Sequence, residues 1–167
     1  MRILVLGIGN LLLGDEAVGV RIVEALEQRY TLPCHVEVLD GGTSGMELLD
    51  VMAGRDHLIV ADAILTGATP GSVAVLHDDE IPAFFSRKVS PHQLGLCDVL
   101  MALKLTEEFP RRLTLVGVVP SSLEPGIRLT PVVSEAIEPA LAQVLAALKE
   151  SGVEATRKTE VADAGRD

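Results

Sequence analysis

The stretch MRILVLGIGNLLLGDEAVG, residues 1–19, decides the fold. An aliphatic run breaks into Gly7 and Gly9, then into the adjacent carboxylates Asp15 and Glu16, before a helical stripe starts at Val18. Arg2 to Leu6 reads as a buried strand. Val18, Ile22, Leu26 and Arg29/Tyr30 fall at helical spacing, with Val23 and Ala25 widening the apolar face. A strand, a glycine loop and an amphipathic helix open a βαβ unit. Gly7 and Gly9 fit the first two positions of a dinucleotide-binding G-x-G-x-x-G, but Leu12 stands where the third glycine belongs. Asp40 sits roughly where a ribose-binding acid would. Asp15 and Glu16 lie where a pyrophosphate would rest, and two carboxylates there repel it. The glycines are better explained as a sharp turn off the strand. A Rossmann-like nucleotide-binding domain is kept as an alternative.

Outward from this stretch the pattern repeats. His35 to Leu39 reads as a second strand closed by Asp40–Gly41–Gly42, and His57 to Ala61 as a third ending at Asp62. Between them Ser44 to Ala53 reads as a short helix with an S-x-x-E capping box, Ser44 and Glu47. Strand, helix, strand, helix, strand means a parallel sheet with right-handed crossovers. The link from Asp62 to Gly71 carries Gly67, Pro70 and Gly71 and is too short for a crossover helix. The strand that follows, Ser72 to Leu76, is therefore expected to run antiparallel as a hairpin edge. Ser90 to about Leu105 reads as a helix, with Ser90 as N-cap, Pro91 at N1 and Gln93 at N3. Leu113 to Val118 is the fifth strand. The last helix starts at Thr130–Pro131, and Pro139 inside it is expected to bend or loosen a turn. Together these give a single three-layer α/β domain over residues 1–150. Its sheet is twisted, mostly parallel and five-stranded, with one antiparallel edge strand and helices on both faces. From Ser151 to Asp167 the composition turns polar without periodicity and reads as a frayed, flexible tail.

The 167 residues, 48% of them apolar, are enough for one core, which must be aliphatic because there are three Phe, one Tyr and no Trp. A net charge of −10 repels phosphate backbones and anionic lipid, which argues against nucleic acid and membrane as partners. No stretch reads as a signal peptide or as the roughly 20 apolar residues of a membrane span, so the expected location is cytoplasmic. Cys34 and Cys97 have no metal-ligand spacing and read as two buried or half-buried thiols.

In an open α/β sheet, sites form beyond the carboxyl ends of the parallel strands. Asp15 and Glu16 follow the first strand, Asp40 ends the second and Asp62 the third. The first two crossovers can put the second and third strands on opposite sides of the first, which places Glu16 near Asp62. His35 and His57 begin strands and His77 ends the antiparallel one, so all three lie at the opposite edge. His92, at N2 of its helix, is left, and the helix dipole there favours the neutral imidazole that binds metal. Two carboxylates and an imidazole suit a divalent transition metal with open positions. Each residue also has a plain structural reading. Asp15 and Glu16 would complement a helix N-terminus, Asp15 as its N-cap. Asp62 would cap a turn, and His92 would be an exposed first-turn residue. The residues alone leave both readings open. Ser44 and the Cys97–His92 pair offer no nucleophile, the first because capping explains it, the second because i and i+5 lie on different faces.

The segments GIGNLLLGDEAVGVR, LDGGTSGMELLD, HLIVADAI, SPHQLGLCDVL and LVGVVPSSLEPGIRLTP carry a resemblance. To about Ala155 the chain resembles the nickel–iron hydrogenase maturation endopeptidases. That resemblance implies a twisted, mostly parallel sheet flanked by helices. It implies a hydrolase, of aspartyl or metal-assisted type, that removes a short C-terminal extension from the precursor of the hydrogenase large subunit once nickel has been inserted. It also implies that Glu16, Asp62 and His92 contact the metal, and that nickel comes with the substrate and is not a resident cofactor. Other divalent metals would be able to occupy the same positions. Three protein ligands are too few to hold nickel permanently against competitors, but enough to add to a nickel the precursor already holds. Asp40 is the candidate for a further role, as a base or in orienting the peptide, against its reading as a turn aspartate. Gly41 and Gly42 would let a peptide backbone approach. The expected partner is the large-subunit precursor, met by a monomer. A non-catalytic nickel-sensing assembly chaperone with the same three ligands is the alternative from a different class.

Overall fold

In the computed structural model of the chain, the described residues are 1–42, 46–87 and 91–158; for 85–87, 91–95 and 97 the backbone alone is described. Strand β1 (Ile3–Ile8) leads through a 3-10 turn, Gly14–Ala17, into helix α1 (Val18–Arg29). A two-residue strand β2 (Tyr30–Thr31) and strand β3 (Val36–Gly42) follow. The chain then passes through helix α2 (Leu49–Met52), strand β4 (His57–Ala63), strand β5 (Val73–His77), and helices α3 (Glu80–Arg87) and α4 (Pro91–Leu105). Strand β6 (Arg112–Val118), helix α5 (Pro131–Glu150) and strand β7 (Thr156–Arg157) complete it.

The main sheet has the order β3-β1-β4-β6-β5. The β1–β3, β1–β4 and β4–β6 pairs are parallel and β5–β6 is antiparallel. The second and third long strands thus flank the first, as the two crossovers require. Both faces of the sheet are apolar, and the strands alternate strictly between them. Ile3 and Val5 join Ile22, Leu26, Val144 and Leu148 of α1 and α5 on one side. Leu4, Leu6 and Ile8 join Leu96, Leu100 and Leu103 of α4 on the other. A fully buried Ile22 or Leu26 contributes about 1.5–3 kcal/mol. Helix α5 has the length and composition of a bilayer span. Its buried stripe of Val133, Ala136, Ala140, Leu141, Val144, Ala147 and Leu148 accounts for that apolarity, and the helix runs unbroken through Pro139 on its exposed face.

Four expectations are corrected, the first concerning Cys34, which is an exposed thiol and not a buried or half-buried one. Strand β5 is an antiparallel edge strand, but its partner is β6, which inserts between it and β4, so no hairpin joins β4 to β5. The helix expected from Ser44 to Ala53 is a 3-10 turn, Met46–Leu48, followed by the single turn of α2, and Ala53 is already extended. Ser44 lies outside the described residues, as does Ser90. Helix α3 was not anticipated. The tail is not frayed from Ser151, because Val153 is buried in the α1/α5 core and β7 pairs with β2. Lys158 donates its backbone N–H to Arg29 O at 2.8 Å; residues 159–167 lie outside the description.

Candidate functional site

The carboxyl ends of β3, β1, β4 and β6 form one edge. Gly7 is level with both Asp40 and Ala61, Asp62 with Gly117, and Ala63 with Val118. Asp62 is fully buried, and its Oδ1 accepts the Ala63 N–H at 2.8 Å. It is a strand residue at the sheet's centre and not the cap of an exposed turn. Glu16 belongs to the 3-10 turn before α1, is also buried, and its turn packs against β4. Glycines make this approach possible. A Cβ on Gly9, whose φ is +151°, would lie 2.0 Å from Glu16 O. A Cβ on Gly19 would lie 2.1 Å from Ala61 O and 2.5 Å from Ile8 O, and one on Gly7 2.7 Å from Gly19 O. The first turn of α1 therefore rests directly on the ends of β1 and β4. Gly7 and Gly9 serve helix–strand packing.

Asp15 has a role the sequence did not disclose. It is fully buried, and it is not an N-cap: the N-cap position of α1 is Ala17. Its Oδ2 accepts the N–H groups of Ser121 and Ser122 at 2.9 and 3.0 Å and the Thr130 hydroxyl at 2.8 Å, and its Oδ1 accepts the Thr130 N–H at 2.7 Å. Burial alone would raise its pKa. The hydrogen bonds from Thr130, Ser122 and Ser121 outweigh burial and hold the carboxyl below its ordinary range. Thr130, at the N-cap of α5, makes no capping bond and gives its hydroxyl to Asp15 instead.

Asp40 is exposed at the end of edge strand β3. Its Oδ1 accepts the Gly42 N–H at 2.8 Å, closing a local turn. The register slips between Gly7 and Ile8, so Gly41 bulges out of the ladder while Gly42 pairs with Ile8. Gly41 is buried, and a Cβ there would point at Leu6 and Leu48, so core packing explains that glycine. A Cβ on Gly42, whose φ is +54°, would meet Asp40 Oδ1 at 3.9 Å.

Helix α4 begins at Pro91 as expected, which puts His92 at N2. After its last turn the chain meets the amino edge, where Gly54 N–H donates to Glu108 O at 2.8 Å and Arg112 N–H to Asp56 O at 3.0 Å. Fifteen residues span about 22 Å, the depth of the sheet, and α4 packs against the Met46–Leu48 turn beyond β3. The backbone of His92 thus lies at the carboxyl edge; its side chain is outside the description. Among the described residues no three His, Cys, Asp or Glu side chains gather as a metal site. The other histidines lie at the far edge. His57 is level with Arg112 and His77 with Thr114, both at the start of β6, and the His35 carbonyl accepts the N–H of Ile3, the first residue of β1.

Fold and site define a class: an open α/β protein with buried carboxylates at the switch point, where β1 is flanked by β3 and β4. The comparisons narrow it. The profile of the HycI family, hydrogenase maturation protease, matches residues 20–147. Over 164 residues the chain is 67% identical to the hydrogenase 2 maturation protease of Escherichia coli K12, covering 98% of this chain and 100% of that protein. The structure of the E. coli hydrogenase maturating endopeptidase HybD superposes with a TM-score of 0.92 at 68% identity, over 95% of this chain and 98% of that one. The HybD protease of Thermococcus kodakarensis gives 0.73 at 26% identity, over 86% and 97%. The chain belongs to the hydrogenase maturation protease family.

Proposed function

We propose that this chain is the endopeptidase that removes the C-terminal extension of the nickel-loaded precursor of a nickel–iron hydrogenase large subunit. In this reading Glu16, Asp62 and His92 contact the nickel that the precursor brings. The observation that carries it is the burial of Asp62 on the central strand pair beside the turn that bears Glu16. Two buried carboxylates at one sheet edge suit a cation, and the family supplies a metalloenzyme precursor as substrate. The first turn of α4, at the same edge, supports His92 as the third ligand. Such a set tests for nickel and fixes the tail in place; a metal contacting the scissile carbonyl would also polarise it. Asp40, one strand away from Asp62 across β1, is the group we assign to orienting the peptide or acting as base, with its Oδ1 committed to Gly42. Gly42, without a side chain, lets the peptide backbone approach. The reaction is placed in the cytoplasm and needs a single copy of the chain.

The test is processing of nickel-loaded precursor by Glu16→Gln, Asp62→Asn and His92→Ala. Each should abolish release of the extension while circular dichroism stays that of the parent. Full processing by any one of them removes that residue from the metal set. Stable nickel-dependent binding of precursor without release by the parent chain would favour a nickel-sensing chaperone.

A further inference from the structure

Two loops leave the carboxyl edge on either side of the Glu16 turn, and they are joined. Leu13 bridges Gly126 in parallel register: Gly14 N–H donates to Gly126 O, and Gly126 N–H to Leu12 O, both at 2.8 Å. Beneath this bridge the four bonds to Asp15 hold both ends of the second loop. Arg21 adds a bond from its guanidinium to Ile127 O at 3.4 Å. Loops 9–14 and 119–130 thus form one fixed body. On its outside stand Leu12 and Ile127, 67% and 69% exposed, with Leu11 and Leu123 at 39% and 43%. Single exposed aliphatic residues are ordinary, but Leu12 and Ile127 are brought side by side by the bond from Gly126 N–H to Leu12 O, and exposed apolar clusters mark interaction sites. The backbone bonds and the Asp15 clamp hold these side chains in water, so little ordering cost remains on binding.

Position selects the occupant. Loop 119–130 continues from Val118, which is level with Ala63 and so adjoins Asp62; loop 9–14 runs directly into Glu16. Any polypeptide laid across those two carboxylates meets this body. We propose that the bridged loops, with Leu12 and Ile127 at the crest, are the docking surface for an apolar stretch of the precursor next to the bond that is cut, and that Asp15 is the positioning residue that fixes this surface relative to Glu16. The proposal rests on the processing function above and adds the chemistry of what the enzyme grips.

The experiment measures steady-state processing and, separately, equilibrium binding of nickel-loaded precursor. It uses the parent chain, the Leu12→Ser/Ile127→Ser double variant, and Leu105→Ser as a control exposed at the C-terminal end of α4. The double variant should raise KM and Kd by roughly tenfold or more with kcat and Tm unchanged, and Leu105→Ser should change none of these. If the parent cuts and the double variant keeps the parental KM and Kd, the docking surface is wrong and the processing function stands. If the parent binds without cutting and the double variant loses binding, the surface stands and the function falls. If the parent neither binds nor cuts, both fall.

Discussion

His57 is a buried base at the amino edge of the sheet, and its titration gives a measurable quantity. The ring is fully buried at the first position of β4. Its Nδ1 lies 2.6 Å from Ser151 Oγ and its Nε2 2.8 Å from Thr114 Oγ1. Burial first, and the nearby Arg112 charge second, push its pKa from the ordinary 6.5 down to about 4, against a weaker upward pull from Asp78. The unfolded chain therefore takes up a proton below pH 6.5 that the folded chain refuses until about pH 4. The stability that His57 protects is fully present above pH 6.5 and is lost as pH falls toward 4, about 3 kcal/mol over the whole window. With those two pKa values, the loss between pH 7.5 and 5.5 is about 1 kcal/mol. Staying at pH 5.5 keeps the protein above its sequence pI of about 4.8. Urea unfolding of the parent and of His57→Gln at both pH values isolates this residue, since the amide does not titrate. The stability gap between the two should narrow by about 1 kcal/mol on going to pH 5.5. A gap that stays constant would show that the ring titrates alike in both states, and the burial argument would fail.

Three further expectations concern the elements that build the site. Gly19→Ala drives a methyl into two strand carbonyls that cannot rotate away, so it should cost about 3 kcal/mol; a parental Tm would mean that α1 is not seated on β1 and β4. Asp15→Asn leaves one acceptor oxygen where two served four donors, so it should cost about 3 kcal/mol and speed hydrogen exchange at Ser121, Ser122 and Thr130. Unaltered exchange at those amides would refute the clamp. Ending the chain at Gly152 removes buried Val153 and strand β7 and should cost about 2 kcal/mol, read by urea unfolding; an unchanged midpoint would return the tail to the frayed state its composition suggested.

The part of the fold that follows from local pattern was readable. Aliphatic runs ending in Gly7, Asp40 and Asp62, each separated by helical or turn-rich segments, dictate parallel pairing, and right-handed crossovers set β3 and β4 on either side of β1. That rule also brought Glu16 and Asp62 to one edge without any measured distance. What depended on distant partners was not readable. The run at Ser72 to Leu76 showed its direction, but not that β6, arriving some forty residues later, would come between it and β4. Asp15 looked like a helix cap because its first true partner, Ser121, lies 106 residues on. The S-x-x-E signal at Ser44 overstated its helix, since a cap marks a start and not a length. Helix α3 was not anticipated, because Asp78–Asp79–Glu80 and Pro82 crowd its first turn and only a short apolar stretch follows. Val153 and β7 were overlooked because two strand residues and one apolar anchor carry no periodicity.

The central claim is nickel-dependent removal of a C-terminal extension, and intact mass tests it most directly. A hydrogenase large-subunit precursor, nickel-loaded or nickel-free, is incubated with this chain and weighed by mass spectrometry. The account predicts one discrete C-terminal loss from the nickel-loaded precursor and none from the nickel-free form. Equal cleavage of both would contradict recognition of the metal, and an unchanged mass for the loaded precursor would contradict the protease itself.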